Sequence, residues 1–502
     1  MKMKILLAAL IFGAHLQSTA QKFKWETEAR AKNENETEVS HVKDGNYLYR
    51  VMSRYNDNLF NRDVTIDTYL GDNFKPEDHY DISVEQPAMG KAMLTHIAMF
   101  PTKGENYLSF LEEWDGKTKE RTLFAQPVDI STGNKSEKFR VTGIPVKNSE
   151  YIVAQSQGRK YFAVLKRFFV DKKDNEKINL ALVDESGKLV KEISYQTPYL
   201  NKAKSDEFEI SVSDDGRIYV VRNIDLAKQK PFRNLYYWDG KSDTMTETSL
   251  KLENDHQLYF TKGWFNDGNF YLQGFATRVG SKAVQVYRGS NPASAIYAAK
   301  FDKDNKNVYT TVNEIAETGL NVKDIVHENG KTWILADKRV ENKKTKPVPG
   351  NAFELQTTYN YNNLGYAFAR LDDATGKLDF FNEINDEQTG TENDNGKFLS
   401  CLYFIRKGEL SIMYQDLQKF EFDEKHSKLD RAIIMETYDS SGKLKNKQVL
   451  KNTGLEPRYD YGNRQWLEDF DLDTSVLLKL SDDKYIVRSS SGYNERYGYL
   501  TF

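Results

Sequence analysis

Residues 207–252 read EFEISVSDDGRIYVVRNIDLAKQKPFRNLYYWDGKSDTMTETSLKL. Two turn signals, DDGR at 214–217 and WDGK at 238–241, cut this stretch into four short runs at 207–213, 217–223, 234–238 and 244–252. The runs alternate apolar with polar residues or are rich in Val, Ile and Tyr, which suits the pleat of a strand and not the 3.6-residue period of a helix. Asp and Gly between the runs tolerate the positive φ that tight strand connections require. The stretch therefore predicts four consecutive antiparallel strands whose connections are short, long and short.

The first of these turns recurs along the chain. KDGN at 43–46, TKGE at 102–105, QGRK at 157–160, NDGN at 266–269, ENGK at 328–331, RKGE at 406–409 and SDDK at 481–484 bring the set to eight, at steps of about 52 to 78 residues. The second turn recurs between them, as DESGK at 184–188, DDATGK at 372–377 and DSSGK at 439–443, with weaker members near Gly71, Gly133 and Asn305. Each clear member follows a strand-like run such as INLALV, GYAFARL or RAIIMETY. The last unit, with runs at 475–480, 485–488 and 496–502, stops one strand short. The missing strand is found at the other end, where Lys22-Phe23-Lys24-Trp25-Glu26 alternates as a half-exposed strand should. Residues 22–30 are predicted to pair with the C-terminal strand and remove an unpaired edge.

Repeated four-strand units of this length resemble the blades of the β-propeller superfamily over nearly all of the mature chain. The resemblance implies an all-β fold, a single eight-bladed β-propeller of four-stranded antiparallel blades with the last blade closed by the N-terminal strand. A seven-bladed ring is the alternative count. Blades would run at roughly 36–84, 92–142, 148–200, 206–254, 257–317, 320–386, 397–452 and 470–502. The resemblance is to the superfamily in general, because neither a repeated WD dipeptide nor an S-x-D-x-G-x-T-W box is present.

Residues 1–20 read as a secretory signal peptide: Lys2 and Lys4, an apolar run from Ile5 to Phe12, then Ser18-Thr19-Ala20, with cleavage before Gln21. The mature domain is then 21–502, located in the periplasm or secreted. No later apolar stretch approaches the roughly 18 residues of a membrane helix, so membrane insertion is not expected. Losing Lys2 and Lys4 with no acid takes the formal charge from -3 to about -5, which argues against nucleic acid. The single cysteine, Cys401, lies in the apolar run FLSCLYFI and is expected in the core.

In a propeller both short turns lie on one face, and the second-to-third links emerge on the other. Those links are long at 277–292, 338–363 and 416–428, so loops on one face are expected to carry function. Three segments assigned to that face share a composition. TYNYNNLGY supplies Tyr359, Tyr361 and Tyr366; EPRYDYGNRQW supplies Arg458, Tyr459, Tyr461, Arg464 and Trp466; SGYNERYGY supplies Tyr493, Arg496 and Tyr497. Tyr and Trp offer large contact area at small entropic cost, and Arg adds directional polar contacts, the mixture of recognition surfaces. The competing explanation is that a chain with 30 tyrosines clusters some of them while packing loops on strands.

Catalytic and metal signals are weak. Asp469, Asp471 and Asp473 alternate with Phe470 and Leu472 and form a candidate calcium cluster, but Thr474 stands where a calcium loop needs glycine. DKDN at 302–305 reads more simply as a tight turn. The six mature histidines, His41, His79, His96, His256, His327 and His426, show no metal-ligand spacing, and HExxH, GxSxG and phosphate-loop motifs are absent. No cofactor is expected. The sequence thus points to an exported, non-enzymatic propeller that binds a glycan, peptide or protein through the Tyr/Arg/Trp-rich face. The alternative is a carbohydrate-active hydrolase or lyase using carboxylates near the central channel.

Overall fold

The computed structural model describes residues 22–25, 30–31, 36–43, 47–56, 61–70, 75–82, 93–104, 106–129, 131–144, 149–168, 175–200, 208–224, 232–250, 252, 256–278, 291–348, 351–385, 388–392, 399–421, 427–450, 459–460, 465–466, 471–491 and 494–502. The leader assigned to 1–20 lies outside them. Every regular element among the described residues is a strand, and every ladder is antiparallel. Around the DDGR and WDGK turns, Phe208–Val212, Ile218–Ile224, Phe232–Trp238 and Thr246–Ser249 pair in chain order. The same four-strand order holds in the sheets that begin at Glu36–Lys43, Met93–Pro101, Ser149–Gln155 and Leu402–Arg406.

One boundary differs from the sequence expectation. Between the units at 257–317 and 320–386 no loop intervenes: the single strand Asn307–Glu328 pairs with Asn291–Phe301 as far as Leu320 and with Lys331–Val348 from Asn321 onward. It is the last strand of one four-strand set and the first of the next, and it fuses them into an eight-stranded sheet. NEIAETGLNVKDI carries no turn dipeptide strong enough to break the extended backbone.

The core lies between successive sheets. In Tyr161–Phe168, Phe162 and Val164 pack with Leu108, Phe110, Leu123 and Ala125 of the preceding sheet, whereas Ala163 and Leu165 pack with Val212, Ile218 and Val220 of the following one. The side-chain period of two thus sends both faces of a middle strand into apolar surroundings. Each such buried Val, Leu or Phe contributes roughly 1.5–3 kcal/mol. Ile218–Ile224 repeats the arrangement, with Ile218 and Val220 on one side and Tyr219 and Val221 on the other. First strands lie against first strands: Ser149–Gln155 against Phe208–Val212, that strand against His256–Asn266, and Glu36–Lys43 against Asp471–Ser481. The first sheet therefore adjoins the last.

The predicted terminal pairing is found. Lys22–Trp25 pairs with Asn494–Thr501 in the register Lys22↔Thr501, Phe23↔Leu500, Lys24↔Tyr499 and Trp25↔Gly498, and Arg30 stands opposite Glu495. Phe23 also packs on the cluster that joins Leu402 and Phe404 to Tyr485, Val487 and Leu500, so the strand is held by its side chain as well as its ladder.

Turn chemistry matches the sequence reading. Asp267-Gly268 and Asn329-Gly330 have positive φ at both central residues, 47° and 74° in the first and 52° and 72° in the second. This is the type I′ geometry whose twist suits a two-residue hairpin. In the second turn family the leading Asp closes the loop on itself. Asp184 Oδ1 accepts from Ser186 N and Lys188 N at 2.9 and 3.0 Å, and Asp439 Oδ1 accepts from Ser441 N and Lys443 N at 2.8 and 3.0 Å.

The long link at 338–363 is a hairpin and not a loop. Lys331–Val348 and Asn351–Asp372 stay paired from Arg339↔Asn363 out to Val348↔Asn351. Their neighbours leave the ladder at Asp337 and Tyr366, so an arm about 30 Å long continues past the sheet, joined near its base by Gln388–Glu392. Val and Thr in the first leg and Thr and Tyr in the second favour extended backbone, and Pro349-Gly350 supplies the turn signal between them. The link at 416–428 is likewise a hairpin, with Glu409–Glu421 and Ser427–Tyr438 paired out to Glu421↔Ser427.

Candidate functional site

The sequence-predicted residues divide into three groups. Tyr359 and Tyr361 lie in the hairpin arm, backbone-paired opposite Lys343 and Glu341. Tyr459 and Trp466 stand opposite each other in a two-stranded ribbon formed by Tyr459–Asp460 and Gln465–Trp466. Arg458, Tyr461, Arg464 and Tyr493 lie outside the described residues. Arg496 is not on a loop: it belongs to the C-terminal strand opposite Ser489, half-buried, with Nε donating to Ser489 Oγ at 3.2 Å. Tyr366 and Tyr497, from the same motifs, are fully buried core residues.

The acidic cluster resolves into structure as well. Asp473 is fully buried, and its Oδ2 accepts from Arg488 Nε and Nη2, each at 2.9 Å. Asp471 is backbone-paired with Ser490, and Asp469 lies outside the described residues. In DKDN, Asp302 Oδ1 accepts from Asp304 N and Lys306 N, each at 2.9 Å. No group of three metal-ligating side chains occurs among the described residues. Cys401 is buried, and burial pushes its thiol up to about 12.

At the opposite end from the hairpin arm, where the first turns lie, the structure holds a constellation that the sequence reading did not assemble. His327 Nδ1 is 2.8 Å from Asp373 Oδ2, and His327 Nε2 is 2.7 Å from Asn266 Nδ2. Thr332 Oγ1 donates to the other Asp373 oxygen at 2.5 Å. An Asn266 amide that donates to Nε2 leaves the imidazole proton on Nδ1, toward the carboxylate. The contact with Asp373 raises the His327 pKa, outweighing the burial that opposes it. Trp264 lies beside this group, parallel to Tyr271 at 5.8 Å between ring centres, and Tyr271 is 5.9 Å from the imidazole.

Deeper along the first strands runs a polar belt. Lys262 donates to Asp324 Oδ1 at 2.7 Å, and the Tyr403 hydroxyl donates to Asp324 Oδ2. Burial works against the charged form of Asp324, but these hydrogen bonds together hold its pKa below the usual carboxylate value. Glu209 behaves oppositely. Burial lifts its carboxyl to about 7, only partly offset by the Gly263 N–H that donates to Oε1 at 2.5 Å. The belt has one acid that stays ionised and one that is half-protonated near neutrality.

A cavity of about 450 Å³ opens between the first strands Ser149–Gln155, Phe208–Val212, His256–Asn266 and the end of Asn307–Glu328. Trp264, Asn266 and His327 line it. A signal for their meeting was present in the chain: superposing the NDGN turn on the ENGK turn brings Asn266 and His327 to adjacent positions of successive units. The Asp373 partner lies in the second turn of its own unit, DDATGK, and spacing alone did not link the two turn families in space.

No protein-family model matches the chain, and no curated protein matches it by sequence. Solved structures similar to it include the WD40 domain of SCAP from fission yeast, at 9% identity and TM-score 0.41 over 97% of this chain and 96% of that one. BamB from Moraxella catarrhalis is similar at 8% identity and TM-score 0.37 over 95% and 97%. The β-propeller domain of the Trilobed protease from Pyrococcus furiosus is similar at 11% identity and TM-score 0.36 over 85% and 98%. The propeller architecture of this chain rests on its own sheets and their packing.

Proposed function

We propose that this chain is an exported, eight-bladed β-propeller, residues 21–502 forming one ring after removal of a 1–20 leader, that binds a glycan, peptide or protein partner in the periplasm or medium without breaking bonds. The ring is supported by the eight first-turn signals and by the contact of Glu36–Lys43 with Asp471–Ser481. The observation that carries the binding function is the paired arm from Arg339↔Asn363 to Val348↔Asn351, which continues beyond its neighbours in the sheet and contains Tyr359 and Tyr361. A two-stranded arm whose sequence carries tyrosines suits the recognition of a partner chain or a sugar face. The net acidic chain disfavours nucleic acid, and no helix among the described residues is long and apolar enough to cross a membrane.

Tyr461 and Trp466, together with Tyr359 and Tyr361, are the residues to test. A glycan array and a peptide display library, screened with the wild type and with a variant carrying all four as Ala, should return ligands that the variant fails to hold. Ligands retained at undiminished affinity would remove this face from consideration.

A carbohydrate-active hydrolase or lyase is favoured by one observation, the Glu209 carboxyl lifted to about 7, as a general acid requires. Its Oε1 is occupied by Gly263 N–H, and the belt's other acid, Asp324, is tied to Lys262 and Tyr403. Two carboxylates free to flank a glycosidic bond are therefore not supplied by this pair.

A further inference from the structure

We infer that the cavity at the first-turn end is a second ligand site, one that takes a neutral oligosaccharide of two or three units. It lies at the end away from the hairpin arm, because the strand Lys331–Val348 starts at this end and runs from it into the arm. The inference is independent of what the arm binds.

Charge decides the ligand class first. The cavity has one cationic side chain in its wall, Lys262, already matched by Asp324 at 2.7 Å, and the imidazole of His327 faces the Asp373 carboxylate at 2.8 Å. A phosphate or carboxylate ligand would have to displace one of these acids or leave it uncompensated, whereas a neutral ligand leaves both pairs intact. The remaining polar wall is uncharged: the amide of Gln157, together with the amides of Gln155 and Asn266 and the hydroxyl of Ser211, which also bond Pro101 O, His327 and Gly263 O respectively. Amides both donate and accept, which matches the hydroxyls of a sugar.

Shape and apolar surface complete the match. Trp264 contributes a half-buried ring to the wall and is braced by its parallel contact with Tyr271. A braced ring loses little freedom when the C–H face of a sugar stacks on it. A volume of about 450 Å³ falls within the range of small-molecule sites, roughly 300–1,000 Å³. The walls come from three sheets, the last being the fused eight-stranded one, so the site is absent from any single four-strand unit.

The test titrates the full mature protein with cellobiose, maltose and N,N′-diacetylchitobiose, followed by tryptophan fluorescence and calorimetry, with digalacturonic acid and chitosan dimer as charged comparators. At least one neutral disaccharide should saturate a single site. Trp264→Ala should weaken it about tenfold or more, and Gln157→Ala, an exposed side chain whose loss leaves the fold intact, by about threefold to tenfold. The Tyr359→Ala/Tyr361→Ala arm variant should bind the disaccharide as wild type does, which separates this site from the arm. Three results would overturn the inference: no neutral disaccharide bound by folded protein at about 10 mM, affinity unchanged in both Trp264→Ala and Gln157→Ala, or a charged dimer bound more tightly than every neutral one.

Discussion

Replacing Asp473 with Ala should unfold the protein far more readily, because Asp473 is the acid of a sealed ion pair. The side chain is 0% exposed and its partner Arg488 8% exposed, with Nε and Nη2 both 2.9 Å from Oδ2. Truncation leaves a guanidinium buried without its compensating charge, a change that costs about 3–5 kcal/mol. Native domains have only about 5–15 kcal/mol in total, so this is a large fraction of the stability. Asp473→Asn keeps an acceptor of nearly the same shape and should lose less, about 1.5–3 kcal/mol. Replacing both partners by Leu should recover much of the loss, since two apolar side chains of similar volume need no charge compensation. The assay is urea unfolding by tryptophan fluorescence at pH 7, repeated with calcium and with chelator. All three variants within about 0.5 kcal/mol of wild type would refute the buried pair. A wild-type midpoint raised by calcium would restore the metal reading of this acidic segment.

Two other predictions follow from single side chains. Glu209 holds its proton in the folded state up to about 7, whereas its ordinary value is 4.5. The native state is thus favoured at low pH, and stability falls as pH rises from about 4.5 to about 7, by roughly 3 kcal/mol at 1.36 kcal/mol per unit. Glu209→Gln should match wild type near pH 5 and exceed it at pH 8, so parallel curves across that range would contradict the burial argument. Lys407 has φ 53° beside Gly408 in the RKGE turn, a left-handed position where a lysine is strained and asparagine is at ease. Lys407→Asn should raise the urea midpoint by the equivalent of about 0.5–1 kcal/mol, and an unchanged or lower midpoint would show that the turn is not under strain.

The fold was largely legible because β-turn chemistry is local. Asp267-Gly268 and Asn329-Gly330 announce type I′ hairpins from two residues each, and the strand that follows the first, Asn269–Arg278, is buried along nearly its whole length, with no solvent face to misassign. The strand Lys22–Trp25 was legible for a different reason: its polar-apolar alternation fits the edge of the last unit, where it pairs with Asn494–Thr501. Less of the site could be read. A tyrosine-rich segment looks the same whether its rings face a partner or the core, and Tyr366 and Tyr497 proved to be core while Tyr359 and Tyr361 lie out along the arm. Length also misled. The link at 338–363 has the span of a loop, but its Val, Thr and Tyr residues continue the ladder once both legs can pair. The His327 group depends on side chains from three separate segments meeting at one end, which no local pattern encodes.

Ring closure by the N-terminal strand is tested most directly by a cross-link between Lys22→Cys and Thr501→Cys in a Cys401→Ser background. The two residues face each other in the ladder, and directly opposed strand positions have Cα atoms about 4.5–5.5 Å apart, within disulfide range. Mild oxidation should convert the folded monomer to a circular chain of altered electrophoretic mobility that reverts with reductant, with the circular dichroism of the parent and a higher melting temperature. Free thiols that stay unpaired, or cross-links that form only between molecules, would contradict a ring completed by residues 22–25.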